Sequence, residues 1–342
     1  MIIRENVLLA PYTTLRIGGP ARYFAEIENE QELSEGLTFA KVKPSGLPIF
    51  VLGGGSNILV SDKGFDGLVI RPMIMGREVI SPPIPSPYNK GRAGEEIRIR
   101  VGAGEVLDDV IGWTVENGWW GLENLSFIPG LTGALAIQNV GAYGTEASEV
   151  IESVEVFDRA NNDLRIMSNE ECGFEYRRSR FNTTDKNKFI ILRVLLKLKK
   201  NGRSNLSYED VKSYFGNRLP AGKTGIPKLI ELRNAIIEIR KNKGQDPNEI
   251  WSAGSFFKNF VVCDNEGVEY KISAAEILDK RLGLKGLQVG GAKLSEKQVI
   301  NMVNTGNATA RDCIELFERV RAIVLDKTGL KLVNEPEFVG FE

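Results

Sequence analysis

Apolar and polar positions along the chain predict short strands separated by amphipathic helices. Tyr23–Ile27 alternates with period two, as a half-buried strand does, and Gln31–Lys41 follows with helical spacing. Pro48–Leu52 and Leu68–Arg71 read as further strands, and Ile97–Val101 runs through Gly102-Ala103-Gly104 into a helix over Val106–Asn117. Ile151–Asp158 and Phe189–Lys197 are rich in β-branched residues and predict strands. Pro227–Lys243 predicts an amphipathic helix with Ile230, Ala235 and Ile239 on or near one face, stopped by Gly244. Val268–Lys271 predicts a strand and Ala274–Arg281 a helix. The last long helix begins at Thr309, where Asp312 completes a capping-box start, buries Ile314, Phe317, Val320 and Ile323, and ends near Gly329. Residues 72–95, with prolines at 82, 83, 85 and 87, read as a surface loop.

One loop stands apart from this alternation. Leu52-Gly53-Gly54-Gly55-Ser56-Asn57 separates two apolar runs with three residues that lack Cβ atoms. Backbone N–H groups there can converge on an anion, and Ser56 and Asn57 add side-chain hydrogen bonds at the rim, so the loop suits a phosphate or pyrophosphate. A plain glycine turn between strands is the competing reading. The Gly102-Ala103-Gly104 turn imitates a dinucleotide fingerprint but has Leu107 at the third glycine position, so it reads as a tight strand–helix turn.

Composition narrows the chemistry. The 342 residues predict two or three domains, and 42% hydrophobic with 26% charged residues fits a soluble globular chain. A formal net charge of -1 gives no global field for nucleic acid or an acidic membrane. No apolar run is long enough to span a bilayer, and Met1-Ile2-Ile3-Arg4-Glu5 lacks a signal-peptide core. Three widely spaced cysteines, Cys172, Cys263 and Cys313, point to a reducing cytosol and away from disulfides or a metal site. The chain has no histidine, which excludes Ser–His and Cys–His nucleophilic catalysis. Acid–base work falls to Glu, Asp, Lys, Tyr, Ser, Arg or a cofactor.

Four further segments could carry chemistry. Ile128–Ala134 and Ile137–Gly144 are dense in small residues, so a flat ligand can lie against backbone, with Gln138 and Asn139 offering donors and acceptors. Tyr176-Arg177 lies in an unusually basic stretch; Arg suits planar recognition of a carboxylate or enolate, and a solvated strand edge is the alternative. Ser255 stands between Gly254 and two aromatics, able to give a proton to a carbanion or simply to serve a turn. Glu335 lies on a strand-like tail with Glu337 two residues on, so both side chains are expected on one face.

Taken together, these segments resemble the UDP-N-acetylenolpyruvoylglucosamine reductase family of bacterial cell-wall precursor synthesis. Thr14–Ala21, LGGGSN, IPG…IQNVGAYG, YRRSRF, AGSFFKN and GGAKLSEKQVINMVNTGNATARD occur in the family's order over nearly the whole chain. The resemblance implies a mixed α+β and α/β architecture. Two small FAD-binding subdomains of vanillyl-alcohol-oxidase-like fold would span 1–66 and 67–244, with a C-terminal α/β substrate domain over 245–327. The tail 328–342 would return to the first subdomain. It implies FAD as cofactor and NADPH as reductant, acting on the enolpyruvyl group of UDP-N-acetylglucosamine enolpyruvate to give UDP-N-acetylmuramate. Arg177 matches the arginine that stabilises developing charge, Ser255 the proton donor and Glu335 the catalytic glutamate. Gly53, Gly54, Gly55, Ser56, Asn57, Pro129, Gly130, Ile137, Val140, Gly141 and Arg240 match cofactor-binding positions. Tyr143, Tyr176, Lys243 and Asn259 match substrate-binding positions, and Tyr208 matches a tyrosine on the loop near 205–215 that covers the nucleotide in one subtype. Glu337 stands where members usually carry arginine, so it is also a candidate for the carboxylate role. A cytoplasmic monomer without nucleic-acid or membrane partners is expected. Alternatives are an FAD oxidase of the same fold and a non-catalytic sugar-nucleotide-binding relative.

Overall fold

The computed structural model describes residues 1–43, 46–80, 96–216, 227–263 and 267–341. Contacts divide it into two units, each assembled from separated stretches of chain: 1–3, 25–54 and 69–240 in the first; 4–24, 55–68 and 241–342 in the second. The strands Pro20–Ile27 and Phe65–Pro72 each begin in the second unit and end in the first.

The first unit is built on a five-stranded antiparallel sheet ordered Asp163–Ser168, Ile151–Asp158, Phe189–Lys199, Glu96–Gly102, Arg77–Ile80. Alternation along these strands sends Ile97, Ile99, Val101, Val154, Val156, Val194, Leu196 and Leu198 into one core with Leu107, Val110 and Ile111 of the Leu107–Glu116 helix. The opposite face carries a ladder of ion pairs. Arg98 meets Glu152 at 2.8 Å, and Arg100 clasps Glu155 through two bonds of 2.7 and 2.8 Å. The Arg77–Ile80 strand corrects the expectation of a loop over 72–95: its Arg77–Ile80 ladder pairs with Val101–Arg98, and residues 81–95 lie outside the described residues. The tight-turn reading of Gly102 and Gly104 holds, because a Cβ at either would meet backbone of Met73, Ile74 or Met75. All ladders of this sheet are antiparallel, so no parallel dinucleotide-binding unit surrounds that turn.

The Leu229–Asn242 helix buries Leu229, Leu232, Ala235, Ile236 and Ile239, whereas Ile230 faces solvent, one position off the predicted stripe. It is tied to the Leu107–Glu116 helix by a bidentate Arg233–Asp108 pair at 2.7 and 2.9 Å.

The second unit holds the antiparallel sheet Ser252–Ser255, Asn301–Asn304, Ala292–Leu294, Gln288–Val289, packed on the Ala310–Thr328 helix. That helix buries Cys313, Leu316, Phe317, Val320 and Val324; Ile314 and Ile323 flank the stripe half-buried. Thr309 and Asp312 form the expected capping box, and Gly329 ends the helix in the left-handed region. Two N–H groups that the box does not reach, those of Ala310 and Arg311, donate to Asp62 at 2.8 and 3.1 Å. The C-terminal strand Glu337–Val339 runs parallel to Ile58–Val60. The three cysteines form no disulfide, and burial pushes the Cys172 and Cys313 thiols up to about 12. Among the described residues no helix is long and apolar enough to cross a membrane.

Asp62 is a second, distant cap on the helix N-terminus. Asp62→Ala is expected to cost about 1–2 kcal/mol by stranding two N–H groups and removing favourable charge at the dipole's positive end. Chemical denaturation checks this, and an unchanged midpoint would show that water replaces the carboxylate at no cost.

Candidate active site

The candidate residues divide between the two units. Arg177, Gly53, Gly54, Pro129, Gly130, Ile137, Val140, Gly141, Tyr143, Tyr176, Tyr208 and Arg240 belong to the first. Gly55, Ser56, Asn57, Lys243, Ser255, Asn259 and Glu335 belong to the second.

In the first unit, Gly54 lies against the Ile128–Ala134 segment, so close that a Cβ on it would sit 2.7 Å from the Gly130 Cα. Two glycine-bearing segments thus meet backbone to backbone at Gly54 and Gly130. Gly130 in turn accepts from the Leu107 N–H at 3.0 Å, which fixes it at the start of that helix.

Tyr176 and Arg177 are the two central residues of a tight turn. Glu175 and Arg178 exchange backbone hydrogen bonds of 3.0 and 3.1 Å across it, so the expected strand edge is a turn. Arg177 holds φ at 57°, the left-handed region that a side chain enters at a cost and that clusters at functional sites. Its guanidinium donates to the Gly141 carbonyl at 2.7 Å and lies over the Tyr176 ring, 5.2 Å from the centroid. The arginine and the small-residue segment are therefore brought together. Asn139 corrects the expectation of a ligand-facing amide. It is buried, donates to Glu146 and to the Glu175 carbonyl at 2.8 and 3.1 Å, and accepts from the Ser148 N–H. Its work is to hold the turn that carries Arg177.

Tyr143 is buried at φ 50°, with its ring edge-on to Tyr208 at 5.3 Å. Burial pushes the Tyr143 hydroxyl up to about 12, against the pull of Arg240, which hydrogen-bonds it. Burial likewise draws the Arg240 pKa below its ordinary value, opposed by Tyr143. Arg240 also donates to the Phe127 carbonyl at 3.2 Å, and among the described residues no carboxylate forms an ion pair with it. Tyr143 and the nearby Asp108 carboxylate offset part of that burial.

In the second unit, the register between Ser252–Ser255 and Asn301–Asn304 slips between Ser252 and Ser255, with Gly254 at φ 73°. The bulge re-aims Ser255, half-buried at the strand end, ahead of Phe256 and Phe257, which anchor in the core. The Phe256 carbonyl accepts from the Glu335 N–H at 2.9 Å. Asn57 donates through Nδ2 to the Glu335 carbonyl at 3.3 Å, and its own carbonyl accepts from the Glu337 N–H at 3.0 Å. Glu335 is thus held by the Asn57 side chain and by the backbone of Phe256, the residue after Ser255. The tail departs from the expected continuous strand: Pro336 makes a bend, and only Glu337–Val339 is strand. The strand covers Glu337 but not Glu335, and both residues are half-buried on either side of the buried Pro336. Asn259 spends its Oδ1 on the Ala274 N–H at 3.0 Å, and Lys243 is half-buried beside the left-handed Gly244.

Sequence reasoning missed Asn124. It is buried beneath Tyr143 and donates to the Tyr143 carbonyl at 2.7 Å. Nothing in ENLS marks it; only the three-dimensional contact does.

Comparison with known proteins places the chain in a family. Residues 21–167 match the FAD binding domain model, and residues 246–339 match the model of the UDP-N-acetylenolpyruvoylglucosamine reductase C-terminal domain. The UDP-N-acetylenolpyruvoylglucosamine reductase of Flavobacterium johnsoniae is 32% identical over 98% of this chain and 99% of that protein. Those of Photobacterium profundum and Pseudomonas aeruginosa are 35% and 34% identical, covering 99% and 98% of this chain and 96% and 98% of theirs. The crystal structure of the Thermus caldophilus reductase superposes with a TM-score of 0.67 at 30% identity, covering 99% of this chain and all of that one. The chain therefore belongs to the UDP-N-acetylenolpyruvoylglucosamine reductase family.

Proposed function

We propose that this chain reduces the enolpyruvyl group of UDP-N-acetylglucosamine enolpyruvate to UDP-N-acetylmuramate, with NADPH as reductant and FAD as cofactor, in the cytoplasm of a bacterium. The observation that carries the reading is full-length family membership in a histidine-free chain whose serine and glutamate are neighbours through the Phe256–Glu335 bond.

The residues fit the cofactor. Gly53–Asn57 with Pro129 and Gly130 would hold the pyrophosphate against side-chain-free backbone. Ile137, Val140 and Gly141 would line the planar ring, and the buried Arg240 cation would answer the phosphate charge. Bound there, FAD would supply the two-electron carrier between NADPH and the substrate.

The chain's own groups divide the remaining work. Arg177, fixed on the Gly141 carbonyl, is assigned to the substrate carboxylate, where its charge stabilises the aci-enolate as it forms. Ser255 gives its hydroxyl proton to the carbanionic carbon, and Glu335 orients that centre. Tyr143, Tyr176, Lys243 and Asn259 contact the UDP-sugar, and Tyr208 closes over the nucleotide. The FAD-binding halves are assigned to 1–66 and 67–244, and the substrate domain to 245–327.

Gly54→Val is expected to lower FAD content and stability together. Its side chain would strike Gly130 before it reached any phosphate, so excess FAD restores binding only in part. Flavin content after reconstitution, read beside the melting temperature, checks this; loss of FAD at unchanged stability would mean direct phosphate contact instead.

Ser255→Ala should leave flavin reduction by NADPH nearly intact and slow substrate reduction by about 10²–10⁴-fold, the usual worth of a positioned general acid. Stopped-flow separation of the two half-reactions is the measurement, and equal slowing of both would give the serine a structural role.

Glu335→Gln should abolish substrate reduction while FAD stays bound, and Glu337→Gln should be mild, because Glu335 adjoins Phe256 whereas Glu337 begins the strand on Ile58. The reverse pattern in steady-state assays would move the carboxylate role to Glu337.

A further inference from the structure

The loop bearing Tyr208 is fastened to the backbone of Tyr143 by groups that no catalytic role uses. Asn124 is fully buried, and its Nδ2 donates to two carbonyls at once, that of Tyr143 at 2.7 Å and that of Asn205 at 3.0 Å. Asn205 returns the bond by donating its own Nδ2 to the Gly144 carbonyl at 2.8 Å. Its Oδ1 accepts both the N–H and the hydroxyl of Ser207, at 3.1 and 2.7 Å, which shapes the chain immediately before Tyr208. Gly144 must be small for this: a Cβ there would lie 3.1 Å from the Ser207 Oγ, in a left-handed backbone at φ 81°. The result is a closed loop of bonds, Asn124 to Tyr143 and Gly144 to Asn205 and back, with Tyr208 held edge-on to Tyr143 at its rim.

We infer that Asn124 is a positioning residue for UDP-sugar binding, a latch that sets Tyr143 and the Tyr208 loop in one arrangement. This rests on the reading of Tyr143 and Tyr208 as substrate-contacting residues. Two features favour a latch over ordinary core polarity. Both of its bonds go to loop backbone, one to Tyr143 itself, in the turn between the paired Gly141–Ala142 and Thr145–Glu146 strands, and the other to Asn205, three residues before Tyr208. In addition, its Oδ1 is buried with no partner among the described residues, so the amide is kept there for the two bonds that its Nδ2 makes to Tyr143 and Asn205. Tyr143 is itself strained at φ 50°, so the loop needs a fixed acceptor–donor pair to keep it there.

The test is steady-state kinetics of the FAD-loaded enzyme with UDP-N-acetylglucosamine enolpyruvate, together with FAD content. Asn124→Ala should raise KM for the UDP-sugar by about tenfold, the worth of one or two net hydrogen bonds, with kcat and FAD content held within about twofold. Asn205→Ala, at a more exposed position, should do the same and serves where Asn124→Ala does not fold. The double variant should raise KM by less than the product of the two, since both break one device. Tyr208→Ala is measured alongside. A raised KM in Tyr208→Ala with unchanged KM in both asparagine variants overturns the latch and leaves the lid standing. An unchanged KM in all three removes the lid reading and the latch with it. A fall in kcat at constant KM in the asparagine variants also overturns the latch.

Discussion

Asn57 is the residue on which the placement of the C-terminal tail within the second unit depends. It holds the C-terminal tail twice, through its side chain to the Glu335 carbonyl and through its own carbonyl to the Glu337 N–H. The strand that begins one residue later, Ile58–Val60, then carries Glu337–Val339 in parallel register. A tail of this kind has little core of its own. Its placement comes from these bonds, from the buried Leu332 and Val339, and from Phe338, which packs on Phe256 and Phe317. The loop assigned to phosphate and the carboxylate assigned to chemistry therefore share one support. A change in either is felt by the other, and hydrogen bonds of this sort are costly to leave half made.

Arg177 shows the same economy in the first unit. Its side chain rests on Gly141 and its turn is pinned by Asn139, so the arginine cannot relax out of its left-handed backbone without giving up those bonds. Strain held by surrounding contacts is a common way to preorganise a charge for a transition state. Tyr143, at φ 50° above Asn124, repeats the device on the side assigned to the nucleotide.

Much of this was legible in the sequence. Periodicity found the three central strands of the five-stranded sheet and both long helices, because burial on one face leaves a period that survives without neighbours; the edge strands Asp163–Ser168 and Arg77–Ile80 escaped it. Thr309 and Asp312 announced the last helix, since capping is local. Motif order identified the family. What stayed hidden is what depends on contacts between distant stretches. Arg77–Ile80 reads as part of a proline-rich loop, yet the partner strand Glu96–Gly102 makes it a strand. Tyr176-Arg177 carries no glycine or asparagine at the left-handed position, so turn chemistry is silent there. Glu335 and Glu337 read as one strand, and the bend at Pro336 starts the strand only at Glu337. Asn139 looked like a ligand donor and is consumed internally. Ile230 and Ile239 are equally apolar, but only the packing side of the helix says which is buried.

Electrons pass from NADPH through FAD to the enolpyruvyl group in this reading of the chain. An anaerobic titration of the purified, FAD-loaded protein with NADPH, followed in the visible spectrum and completed by adding UDP-N-acetylglucosamine enolpyruvate, tests it most directly. The account predicts stoichiometric bleaching by NADPH and full return of the flavin absorbance on adding the substrate, with UDP-N-acetylmuramate formed. A flavin that NADPH does not bleach, or that stays reduced in the presence of the UDP-sugar until oxygen is admitted, would contradict it.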